Sequence, residues 1–66
     1  MAPVSTTYKA TAHREGDWWV IEVPQLGQTT QARTAIDIDM MARDLIAVMR
    51  NVNLSEVQVT VTTLNG

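Results

Sequence analysis

The sequence predicts a small α+β domain of order β-β-β-α-β, an antiparallel-rich sheet with one helix packed on one of its faces. Three observations predict it. Apolar and polar residues alternate near both ends of the chain. A Glu15-Gly16-Asp17 turn joins two such runs. A single stretch of helical period lies between Ala35 and Arg50.

The first strand is read from T-Y-K-A-T-A-H-R, Thr7 to Arg14, where Tyr8, Ala10 and Ala12 alternate with Lys9, Thr11 and His13. Gly16 is free to take positive φ in the turn that follows. Asp17 to Pro24, D-W-W-V-I-E-V-P, carries the aromatic and β-branched residues that strands favour. Pro24 has no N–H for a ladder and ends that strand, and Gly27 marks the next turn. Gln28 to Arg33, Q-T-T-Q-A-R, reads as a short polar edge strand. Thr34 is placed as the N-cap of a helix from Ala35 to about Arg50, its side chain accepting from the N–H near Asp37. Asn51 or Asn53 ends the helix, since Asn tolerates the left-handed conformation. Ser55 to Thr63 alternates cleanly and reads as the last strand. Strand order and register are left open.

A chain of 66 residues with no cysteine and one histidine makes a single domain, 1–66. Its core is expected at about 7–63, with Met1 to Thr6 frayed. Disulfides are excluded and a zinc site is not expected, so oligomerisation is the remaining support for so small a core. Net charge is −2, with a pI near 5.0 and no basic run, which speaks against nucleic-acid binding. No stretch reaches the ~20 apolar residues of a membrane span. The N-terminus has no secretory pattern, so the cytoplasm is the expected location.

At 100° per residue, Ile38, Met41, Ala42, Leu45 and Met49 share one helix face, flanked by Ala35 and Ile46. This stripe is expected on a sheet face made by Tyr8, Ala10, Trp19, Ile21, Val23, Val57, Val59 and Val61. On that reading Leu45→Ala costs about 2–5 kcal/mol. The opposite helix side carries Ile36, Met40 and Ala47, with Arg43 between them and Val48 farther round. The other sheet face carries Trp18 and Val20 beside Lys9, Thr11, His13, Gln58 and Thr60, with nothing in the chain to cover it. Interfaces are enriched in Trp, Met and Arg. Trp18, Val20, Ile36, Met40, Arg43 and Ala47 are therefore the candidate partner or oligomer residues.

No catalytic, metal or cofactor residue is expected. His13 has no carboxylate at a predictable cross-strand position. Asp37 and Asp39 point to different sides of the helix. Asp37 and Asp44 lie roughly 10 Å apart along its axis, too far for a two-metal site. The three glycines, at 16, 27 and 66, form no phosphate loop. The expectation is a binding protein and not an enzyme.

The run Y-x-x-x-A-x-R-E-G-D-W-W-V-I-E-V-P-Q-L-G, Tyr8 to Gly27, resembles the opening of HicB-family antitoxins. There an aromatic strand ends in a Pro-x-Leu-Pro-Gly-like turn. T-Q-A-R-T, Thr30 to Thr34, is similar to the family's third strand and helix cap. Ala42-Arg43-Asp44 falls where the family often has Ala-Arg-Glu. The tandem tryptophans are similar to short actinobacterial members. The resemblance spans Tyr8 to Val61. It implies a partly degraded ribonuclease H-like fold, no catalysis, self-association, and neutralisation of a small HicA-like toxin that cleaves mRNA. Two features depart from the pattern. The turn lacks its second proline, and no residues after the last strand supply the DNA-binding module common in the family, so operator binding is not expected. Two alternatives stand beside this reading. One is a phage or mobile-element protein that binds a host protein with the same fold. The other is an RNA or single-strand binder using Trp18, Lys9, His13 and Arg14 on or beside the open sheet face.

Overall fold

The computed structural model describes residues 7–64 and has the expected β-β-β-α-β order. β1 (Thr7–Glu15), β2 (Trp18–Val23) and β3 (Gln28–Ala32) form an antiparallel meander. A 3-10 turn at Ala35–Asp37 leads into α1 (Ile38–Arg50), and β4 (Gln58–Leu64) closes the chain's path. The strand order is β3-β2-β1-β4, and β4 lies parallel to β1. The expected fraying of Met1 to Thr6 falls outside the described residues.

Local chemistry explains the turns. Glu15 pairs with Trp18, so the first hairpin loop is Gly16-Asp17, with Gly16 at φ 62°. A glycine of positive φ leading a two-residue loop matches the twist of the flanking strands. Val23 pairs with Gln28 across Pro24–Gly27, where Gly27 takes φ 63°. Leu26 N–H donates to Val23 O (3.0 Å) and Gly27 N–H to Pro24 O (3.1 Å). Beyond the β1–β2 ladder, Gln25 Oε1 accepts from Lys9 N–H at 2.7 Å.

Both ends of α1 refine the expectation. Thr34 precedes the first turn, but its hydroxyl donates to Asp37 Oδ2 (3.1 Å) instead of accepting from a backbone N–H. Its carbonyl does the capping, accepting Asp37 N–H at 3.1 Å. That first turn is 3-10, so the α-helix proper starts at Ile38. Asn51 ends the helix in the left-handed conformation (φ 57°, ψ 50°), and Val52 N–H reaches back to Ala47 O at 3.0 Å. This is the Schellman arrangement, in which the residue after the cap satisfies a free carbonyl. Asn51→Ala is expected to lower stability by about 1 kcal/mol, and Asn51→Gly to hold or raise it, in thermal melts.

The last strand starts later than the alternation from Ser55 indicates. Leu54–Glu56 forms a 3-10 turn, in which Glu56 Oε1 accepts Asn53 N–H (3.2 Å) and Val57 N–H donates to Leu54 O (3.1 Å). A side chain that bonds the local backbone competes with the ladder, and here it delays it.

One sheet face meets α1, as expected. Ala10, Ile21, Val23 and Val57 are buried, and Tyr8, Trp19, Val59 and Val61 pack half-buried around them. From the helix come Ile38, Ala42, Ile46 and Ala47. Met41 and Leu45 are only half-buried, and Met49 is exposed, so the buried stripe is centred nearer Ile46 than the wheel suggests. Five of the ten buried hydrophobic residues are alanines, which lets the helix approach closely and leaves few large side chains to carry the core.

Candidate functional site

The open sheet face is assembled by register. Thr11, His13 and Glu15 of β1 stand opposite Glu22, Val20 and Trp18 of β2, and Val20 and Glu22 stand opposite Gln31 and Thr29 of β3. On the far side, Lys9, Thr11 and His13 neighbour Thr60, Thr62 and Leu64 of β4. Side chains of such pairs share a face. No element of the described residues lies over them. Trp18 keeps 40% of its surface exposed and Val20 is half-buried.

Trp18 is not bare. The Arg33 guanidinium carbon lies 5.1 Å from its ring centroid, within cation–π range. Trp19, on the helix side, has Arg14 at 5.8 Å. Asp17, Trp18, Arg33 and Thr34 line one hollow of about 400 Å³. A second cleft, of about 500 Å³, is lined by Trp18, Val20, Thr29, Thr30, Gln31 and Met41. Trp18 and Val20 belong to the open face and Met41 to the helix, so this cleft follows the outer edge of β3.

The candidates on the helix separate. Ile36 is 90% exposed and Met40 56%, so both present apolar surface to water. Ala47 is corrected: it is 7% exposed and belongs to the core. The chain turns back at Asn51, and the Leu54–Glu56 turn packs against α1, which converts Ala47's flank from outer to inner. Arg43 is half-buried and committed within the chain. Its Nη1 donates to Val57 O at 2.6 Å and its Nε to Asp39 Oδ2 at 2.7 Å. It therefore clamps α1 to the segment entering β4, with 35% of its side-chain surface still exposed.

His13 has Val20 and Leu64 across the strands and no carboxylate there, as expected. Its Nε2 lies 2.8 Å from Glu15 Oε2, two residues along the same strand and on the same face. Period-two spacing on one strand supplies the carboxylate, because residues two apart share a face. Glu15 is the only side chain bonded to His13 among the described residues. There, too, no three of His, Asp and Glu converge as a metal site. No described helix is long and apolar enough to cross a membrane.

Comparison with family models, curated proteins and solved structures found no match.

Three features of this surface were not foreseen. Arg33 covers Trp18, and Met41 walls the β3 cleft. The third is the exposure of Met49, Val52 and Leu54, which extend the apolar surface of Val48 around the end of α1. Arg33 was within reach of the sequence. The four-residue loop that sets Val23 opposite Gln28 carries the register on to Trp18 and Arg33.

Proposed function

We propose that this chain is a non-catalytic protein-binding domain of the HicB antitoxin type, which binds and neutralises a small HicA-like toxin that cleaves mRNA. The observation that carries the reading is Ile36, 90% exposed next to a helix that exposes Met40 as well. Large apolar side chains held in water on an ordered element are what a partner removes from solvent. The β-β-β-α-β order, with one helix on one sheet face, supports the resemblance seen from Tyr8 to Val61. Arg33 over Trp18 weighs against base stacking on the open face, because the guanidinium already occupies one side of the ring.

The test is to mix the tagged chain with extract of its native cells and identify what it retains. The expected result is a small basic protein whose RNA cleavage stops when the chain is added. Ile36→Asp is expected to weaken that capture at least tenfold and to leave the melting temperature within a degree or two, since the side chain touches little else. Recovery of the chain alone, with no RNA-cleaving partner, overturns the reading.

A further inference from the structure

We propose that two copies of this chain pair through β3, antiparallel about a two-fold axis at Thr30, to form one continuous sheet twice as wide. The argument begins with the phase of the ladder. A two-residue hairpin loop closes on a hydrogen-bonded pair, here Glu15 and Trp18. Alternation then directs Trp18, Val20 and Glu22 toward β1, and Trp19, Ile21 and Val23 toward β3. Lys9 N–H, which points to the β2 side to meet Gln25 Oε1, has the phase this requires. Gln28, Thr30 and Ala32 therefore bond inward to β2. Thr29 and Gln31 turn their N–H and C=O groups outward.

These outward groups are symmetric about Thr30. A two-fold axis there sets Thr29 against Gln31 of the other copy and Gln31 against its Thr29, so every outward group of the strand is bonded. An axis at Gln31 would instead set Thr29 against Arg33, beyond the end of β3. The side chains agree with the backbone. Q-T-T-Q-A carries no charge and no proline, whereas the edge strands of monomers are commonly guarded by Lys, Pro or a bulge. Thr30 would face Thr30 of its twin, a favourable cross-strand pair. The edge is also the floor of the cleft walled by Trp18 and Val20 on one side and Met41 on the other, so an added strand covers apolar surface on both sides. Five residues of strand and these walls reach only the low end of interface sizes, below about 1,200 Å² in total, which sets a dimer dissociating at micromolar concentrations.

The chain has no cysteine, so Thr30→Cys introduces a single thiol. Facing residues of a non-hydrogen-bonded pair lie about 4.5 Å apart at Cα, within disulfide reach. Under mild oxidation with glutathione, Thr30→Cys is expected to form a disulfide dimer at least tenfold faster than Thr60→Cys on β4. Sedimentation of the unmodified chain is expected to rise with concentration from 7.3 kDa toward twice that mass. Gln31→Pro removes only an outward N–H and is expected to keep the circular dichroism spectrum while holding the chain monomeric. A native chain that stays at 7.3 kDa up to about 1 mM overturns the proposal, and so does faster linkage at Thr60, which would move the contact to the opposite edge. The result does not depend on the toxin reading: a monomer that still captures such a partner removes this proposal alone.

Discussion

Ile46→Ala is expected to cost about 2–5 kcal/mol, the largest loss from any single truncation on the helix. Ile46 is fully buried on α1, and only Ile21 and Val23 rank with it among the largest fully enclosed side chains. Half of the buried hydrophobic residues are alanines, so Ile46 is one of few large side chains that fill the core. A chain of this length holds roughly 3–10 kcal/mol of total stability at typical per-residue values, and the variant would lose a major fraction of it. Urea titration by tryptophan fluorescence would show a lower midpoint with an unchanged slope. Leu45→Ala is the paired control. Leu45 is half-buried, so its loss is expected to fall below that of Ile46. A larger loss at Leu45 would mean that the helix turns Leu45, and not Ile46, into the core.

Arg43→Met is expected to cost about 1–3 kcal/mol, even though the apolar stem is retained. The guanidinium satisfies Val57 O from within the chain, and Val57 is only 3% exposed. Without it that carbonyl loses a charged donor where water enters poorly. Asp39→Ala, which breaks only the half-exposed ion pair, is expected to cost under about 1 kcal/mol. Arg43→Lys is expected to fall between Arg43→Met and the native chain, because an ammonium cannot span both acceptors in the guanidinium's fork geometry. Hydrogen exchange distinguishes this clamp from a general loss of stability: protection should fall first in β4 and at the β1 amides that face it. Equal effects of Arg43→Met and Asp39→Ala would count against the clamp.

How much was legible follows from the range of each interaction. Alternation of period two identified β1 and β4, because burial on one side imposes it locally, while aromatic and β-branched content marked β2 and a short polar run marked β3. Gly16, Gly27 and Asn51 marked turns and a cap, because positive φ restricts residue choice at single positions. The departures at Ala47 and Arg43 lie where segments distant in sequence meet, and those at Thr34 and Ser55–Glu56 where a side chain bonds its own neighbourhood. Ala47 reads as an outer residue on a lone helix and becomes core only when residues 52–57 fold back over it. Arg43 reads as an interface cation until Val57 O comes within its reach. Ser55 and Glu56 continue an apparent strand until the Asn53–Glu56 bond curls them into a turn. Among the surface candidates, Trp18 stands on the open sheet face, while Ile36 and Met40 are exposed at the start of the helical segment.

The parallel pairing of β1 with β4 bears on how the chain reaches this state. β1 sits in the interior of the sheet, yet one of its neighbours lies 51 residues away, as the Thr7–Gln58 hydrogen bond shows. The hairpins β1–β2 and β2–β3 close over short loops and can form early, whereas the β1–β4 ladder must wait for α1 and the Leu54–Glu56 turn. Until then β1 is itself a temporary edge, uncovered along Thr7–His13. During synthesis that edge emerges from the ribosome long before the strand that closes it, and this interval is when the chain is most open to mispairing with another copy.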